Sequence, residues 1–266
     1  MNKTKLIMGF LAAFLFIITC ATAGQASAQR TFVAGPGIGN DSNTASDCSF
    51  SAPCRNFSAA YTVTNTGGEI IALSPGVGYG ALTITHAITV TGLPGQVAFV
   101  AVAAGTTGFT VNAGATEQVV IRNITFNGSN AATSTGLSHT SGKLVVEGCT
   151  FTQLATGITI VNTTMALRNS TLTGNTIGAS VSGTGTTSPS VAATALLTID
   201  GGSITYNGTG IHMINPGNNP LYNVWVHTVG GAWLTNMMGN TIGVDGTGTG
   251  CPCSNTQGYS NGDNPH

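Results

Sequence analysis

Charge is what this chain has least of. Of 266 residues, 7 are Lys or Arg and 8 are Asp or Glu, so charged side chains make up 6%, against about 25% in an ordinary soluble domain. The net charge of −1 leaves no basic surplus to neutralise phosphates, which excludes a nucleic-acid partner. The shortage of Glu and Lys also excludes a coiled coil or a protein of ordinary amphipathic helices. Disorder is excluded from the other side, because 41% of the residues are hydrophobic. Glycine is abundant at 38 residues, and the polar surface falls to Thr, Ser, Asn and Gly. This is the composition of a secreted β protein.

Long apolar runs are also missing, with one exception. Lys3 and Lys5 precede a nearly unbroken apolar run from Leu6 to Thr19, and Ala26-Ser27-Ala28 follows as a small-residue cleavage site. The pattern predicts a signal peptide over 1–28, a mature start at Gln29 and an extracellular or periplasmic protein. The run is short for a membrane span and no second one follows, so no transmembrane segment is expected. A lipid anchor on Cys20 is the alternative, and Thr19 is a poor residue to precede it. Cleavage leaves five basic and eight acidic side chains, net −3.

Export places the remaining cysteines, Cys48, Cys54, Cys149, Cys251 and Cys253, in an oxidising compartment. Cys48 and Cys54 flank a short loop and are expected to form a disulfide. Cys251-Pro252-Cys253 is too close for an easy mutual bridge and lacks the second ligand pair of a metal site. Cys149 is the thiol left over.

Helical periodicity is nearly absent after the signal, and a strand–bend–strand unit recurs instead. Val119 to Phe126, Leu144 to Phe151, Met165 to Leu172 and Leu197 to Ile204 align, with Leu221 to Val226 as a weaker fifth copy. Their last positions are spaced by 25, 21, 32 and 22 residues. A second series, led by Gly136, Gly157, Gly178, Gly210 and Gly231, steps by 21, 21, 32 and 21. A period in the low twenties with three short strands per unit is a β-solenoid signature. The bends hold Asn123, Gly148, Asn169, Gly201 and Asn223, residues that accept a left-handed backbone. Inward ladders are expected along Ile121, Val146, Leu167, Ile199 and Leu221, and along Phe126, Phe151, Leu172, Ile204 and Val226. The domain reading is an N-terminal cap over 29–68, a parallel β-helix over 69–245 and a loose tail over 246–266. A short helix within Pro53 to Val63, with Phe57, Ala60 and Tyr61 on one face, is placed to cover an open strand edge.

The residues Asn40-Asp41-Ser42-Asn43, Ala52-Pro53-Cys54-Arg55-Asn56-Phe57, Gly67-Gly68-Glu69-Ile70, Ser74-Pro75-Gly76 and Tyr79-Gly80 resemble the cap and first coil of secreted right-handed parallel β-helix proteins of the pectate-lyase-like (pectin-lyase-like) superfamily. The later coils resemble its repeats. The resemblance implies an all-β, right-handed parallel β-helix. It leaves activity open, since the superfamily includes polysaccharide lyases, glycoside hydrolases, epimerases and adhesins. It also implies a polysaccharide groove on the Gly-led strands, with Ser138, Thr159, Ser180, His212 and Trp233 facing outward.

No carboxylate stands in that row, and no paired aspartates elsewhere supply an acid and a base for glycoside hydrolysis. His212 and Trp233 are expected to be neighbours, and an indole is a flat platform for a sugar ring. Trp225 is a second aromatic candidate. These residues also have a purely structural reading, covering the last coil. A second outward ladder, just before each bend, runs Arg122, Glu147, Arg168, Asp200 and Tyr222, alternating in sign. It reads either as compensating charge on stacked strands or as a site where Arg122 and Arg168 hold an acidic sugar. Asn40 to Asn43 with Asp47 offers oxygen ligands for calcium, and a polar cap turn explains the same residues; no cofactor or metal is assigned. His86 and His139 stand apart from other ligand types and read as ordinary strand residues. The leading expectation is an exported, non-catalytic protein that binds a polysaccharide or cell-surface glycan or has a structural role. The alternatives are a divergent lyase or hydrolase, and a surface adhesin or matrix component.

Overall fold

The structure is a computed structural model that describes residues 28–183, 194–214, 223–228 and 238–247. The signal segment before Ala28, Cys251, Cys253 and most of the expected tail lie outside the described residues. So do Tyr222 and Trp233.

All strand pairings among the described residues are parallel, as a chain with almost no helix-forming pattern and repeated strand–bend units requires. One sheet of 8 strands runs from Ala28–Val33 through Gln118–Arg122, Lys143–Glu147 and Thr164–Arg168 to Asn223–Thr228. A second, curled path of strands carries the Gly-led segments. The chain alternates between the two, and each circuit stacks on the last. This is the expected parallel β-helix.

The bends have the backbone that the sequence implied. Asn123, Gly148 and Asn169 have φ of 55°, 63° and 44°, and Gly201 has φ of 73°. Hydrogen bonds continue through these corners from coil to coil: Asn123 N donates to Glu147 O at 3.0 Å, Gly148 N to Arg168 O at 3.0 Å and Asn169 N to Asp200 O at 2.9 Å. The Gly-led series has a different cause, close approach. A Cβ on Gly136, Gly157 or Gly178 would lie 2.5–2.6 Å from the carbonyl oxygen of the next coil's glycine. Only glycine allows that contact.

Inside, like stacks on like. Ile121, Val146, Leu167 and Ile199 are in register and buried. Phe126, Phe151, Leu172 and Ile204 form the second expected ladder, with the Phe126 and Phe151 rings stacked at 4.7 Å. The fifth copy is corrected. Val226 pairs with Leu197 and Thr228 with Ile199, so Val226 does not follow Ile204, and Leu221 and Tyr222 precede the strand. Cys149 is buried on the inner side, and burial pushes its thiol up to about 12.

An amide ladder that the repeat reading missed runs through the second corner. Asn175, Asn207 and Asn240 are 2–3% exposed. Asn207 Nδ2 donates to Leu172 O and to Asn240 Oδ1, both at 3.0 Å, while its Oδ1 accepts from Asn175 N and Nδ2, also at 3.0 Å. Each side chain thus satisfies its own donors and the corner backbone of its neighbour. In a buried corner this is the condition for the polar atoms to be tolerated at all.

The cap divides its work differently from the expectation. The expected helix spans Phe57–Val63, and its Phe57, Ala60 and Val63 plug the end of the core. Phe57 packs edge-on against Phe109 at 5.6 Å, and Phe109 against Phe126 at 5.0 Å, so one aromatic column runs from cap to coils. The open edge of Ala28–Val33 is taken by the Cys48–Cys54 segment: Phe32 N donates to Cys48 O, Ala34 N to Cys54 O, and Cys54 N back to Phe32 O, at 2.8–2.9 Å. The disulfide, with its Cα atoms 4.9 Å apart, holds that segment in place.

Candidate functional site

The outward face of the Gly-led strands is a registered row. Thr83 pairs with Thr110, Thr110 with Ser138, Ser138 with Thr159, Thr159 with Ser180, and Ser180 with His212. The flanking residues Ile158, Ile160, Ala179, Val181, Ile211 and Met213 point inward, which fixes the row as outward by the strand's period of two. Along it, exposure falls from Thr83, which is exposed, to Ser180, which is 8% exposed; His212 is half-buried. Neighbours in such a row sit about 4.8 Å apart. The row offers hydroxyl donors and acceptors at regular intervals and no net charge until its end.

The end of the row differs from the expectation. His212 is in register with Asp245, not with Trp233. Trp233 lies outside the described residues, and Asp245 is the residue in backbone register with His212. In backbone register, Ser180, His212 and Asp245 follow one another on three successive coils. The sequence carried this signal: Gly174-Asn175-Thr176-Ile177-Gly178 recurs unchanged as Gly239-Asn240-Thr241-Ile242-Gly243, which makes Gly243, not Gly231, the next leading glycine.

The charge ladder is in the expected register, Arg122 with Glu147, Glu147 with Arg168 and Arg168 with Asp200. Arg122 Nε meets Glu147 Oε2 at 2.9 Å, with both side chains substantially exposed. The same device recurs nearer the cap, where Arg30 Nε meets Glu69 Oε2 at 3.0 Å. Arg122 and Glu147 thus compensate each other's charge between two successive coils. Tyr222, the expected next member of the ladder, lies outside the described residues. Trp225 belongs to the strand Asn223–Thr228 and pairs with Leu196, on the other sheet from His212.

Asp41 is occupied as a cap residue. Its carboxylate accepts from Arg55 N at 2.8 Å and from Asn56 N at 2.9 Å through one oxygen, and from Asn56 Nδ2 at 2.6 Å through the other. Among the described residues no group of three or more His, Cys, Asp or Glu converges in a way that would hold a metal ion. His139, in contrast to a surface histidine, is fully buried on the inward ladder between Val111 and Ile160, with neither ring nitrogen hydrogen-bonded. Burial pulls its imidazole down to about 4. It is a neutral core residue and takes no part in the outward face.

Among the described residues no helix is long and apolar enough to cross a membrane. Compared with protein-family profiles, curated proteins and solved structures, the chain matches none of them. The site's chemistry therefore rests on the residues themselves.

Proposed function

We propose that this is an exported β-helix protein of the pectate-lyase-like kind that binds a neutral polysaccharide or cell-surface glycan outside the cytoplasm, without cleaving it. The observation that carries the reading is the registered row Thr83, Thr110, Ser138, Thr159, Ser180 and His212. A linear ligand rich in hydroxyls can exchange hydrogen bonds along such a row. An anionic or cationic polymer finds no matching charge on it until the last position. The apolar run 6–19 and the small residues at 26–28 support export. The test is a glycan array probed with wild type and His212→Ala. Binding to neutral glycans that weakens at least severalfold in the variant is expected; no binding by wild type would sink the proposal.

A second reading, a divergent hydrolase or lyase, is favoured by one observation, the alignment of Ser180, His212 and Asp245. A His in backbone register with an Asp supplies the residue types of a general base and its partner. Release of sugar product that is lost in both His212→Ala and Asp245→Asn would replace the non-catalytic reading with this one.

A further inference from the structure

Tyr61 and His86 are 25 residues apart in sequence and come together where the capping helix meets the first coil. Their rings stack at 4.3 Å with an interplanar angle of 18°. The Tyr61 hydroxyl accepts from the backbone N–H of Thr85 at 2.7 Å and of His86 at 3.1 Å. The same hydroxyl lies 2.7 Å from His86 Nδ1 and 3.3 Å from Thr85 Oγ1. The pair is therefore fixed before any ligand arrives, so little rotamer freedom is left to lose on binding.

The pair lines a cleft of about 720 Å³ whose other walls are Gln29, Thr62, Thr64, Asn65, Thr66 and Thr85. It is an open, shallow depression on the surface, with room for a sugar ring laid on it. None of the lining side chains is Lys, Arg, Asp or Glu, so an ammonium group would meet no opposite charge; in a chain processed after Ala28 the new α-amino group of Gln29 stands at the cleft, and tetragalacturonate tests whether it draws an anion. A wholly apolar ligand would strip water from hydroxyls and amides without replacing their hydrogen bonds. A neutral sugar satisfies both kinds of surface, with ring C–H groups on the aromatic pair and hydroxyls toward Thr and Gln. The cleft directly follows the strand Leu82–Ile84, whose Thr83 begins the outward row. It is also complete in a chain processed after Ala28, since Gln29 and all other lining residues remain.

We propose that this cleft is a binding subsite for a neutral pyranose unit, with Tyr61 and His86 as its platform. The proposal rests on the glycan-binding reading and deepens it by naming where the chain of sugars is anchored. The experiment titrates the processed protein with neutral tetrasaccharides (cello-, manno- and galacto-tetraose) and with tetragalacturonate, by calorimetry and by amide chemical-shift mapping. Variants are Thr66→Arg, which fills the cleft from an exposed position without touching the core, and Tyr61→Phe, which keeps the ring and removes the hydroxyl clamp. The expected result is binding of a neutral tetrasaccharide with shifts at residues 61–66 and 85–86, an affinity loss of at least tenfold in Thr66→Arg, and a smaller loss in Tyr61→Phe. Binding with shifts confined to the His212 end and unchanged in Thr66→Arg overturns the cleft while leaving the glycan reading standing. Preference for tetragalacturonate overturns the neutral-ligand assignment. No binding of any sugar overturns both.

Discussion

Replacing Asn207 by Ala cuts the amide ladder at its centre. The side chain is 2% exposed and makes four hydrogen bonds at 3.0 Å, to Leu172 O, Asn240 Oδ1, Asn175 N and Asn175 Nδ2. Asn240 Oδ1 keeps the backbone N–H of residue 207, at 2.9 Å, and Asn175 Nδ2 keeps Phe151 O, at 3.0 Å. One group is left without its acceptor, the Asn175 N–H, while the Leu172 carbonyl keeps its place in the parallel ladder with Ser203–Thr205. A buried polar group stranded in this way costs about 1–3 kcal/mol, a large share of the stability of a typical domain. Denaturant titration followed by circular dichroism measures the loss. Asn127→Ala is the control, because that half-buried strand side chain makes its hydrogen bonds locally, to Ser129; it is expected to cost about 1 kcal/mol or less. Asn207→Asp separates geometry from volume. It keeps the shape but sets a carboxylate oxygen against Leu172 O and Asn240 Oδ1, and is expected to be no more stable than Ala near pH 7. A loss below about 1 kcal/mol in Asn207→Ala would refute the reasoning that satisfied amides hold this corner.

The remaining predictions concern charge, protonation and reactivity. A double-mutant cycle on Arg122→Ala and Glu147→Ala should return a coupling of about 1 kcal/mol or less that fades in ~1 M salt, because the pair is solvent-screened; a coupling above about 2 kcal/mol would contradict the exposed-ladder account. His139 binds a proton near 6.5 when unfolded and near 4 when folded, owing to burial. The unfolded state thus holds more protons between those values, and stability falls by up to about 3 kcal/mol as pH drops through that window. His139→Leu should flatten this dependence in pH-resolved melting curves, and an unchanged slope would count against it. Cys149, a buried thiol pushed up to about 12, should resist iodoacetamide at pH 8 in the native protein and react fully once unfolded; rapid native labelling would show that the inner ladder opens.

The coils from Val119 to Ile204 were legible because stacking imposes the same residue type at the same position. Asn or Gly at the first bend follows from positive φ, and the leading glycines from carbonyl approach at 2.5–2.6 Å. Hydrophobic pattern alone misplaced the last coil. Leu221 to Val226 looks like another copy, but Val226 actually pairs with Leu197. The repeated Gly-Asn-Thr-Ile-Gly segment would have set the Gly-led register, because its buried asparagine must hydrogen-bond both neighbours and cannot slip. The candidate site was legible only in part. Thr159, Ser180 and His212 share a face as the alternation implied, whereas Asp245 depended on that register. The Tyr61–His86 pair left no local trace, since its residues sit on a helix and on a bend and meet only through the corner between cap and first coil. The disulfide was readable from spacing, but its role at the strand edge was not, because it depends on the backbone bonds of Phe32 and Ala34.

The central claim is that a neutral glycan lies along the registered hydroxyl row from Thr83 to His212. A crystal structure of the processed protein with a neutral oligosaccharide selected by glycan array tests it most directly. Sugar rings are expected over Thr110, Ser138 and Thr159, hydrogen-bonded to their hydroxyls, with one end directed toward Tyr61 and His86. Sugar bound instead along Arg122, Glu147 and Arg168 on the other sheet, or no bound sugar at saturating concentration, would contradict it.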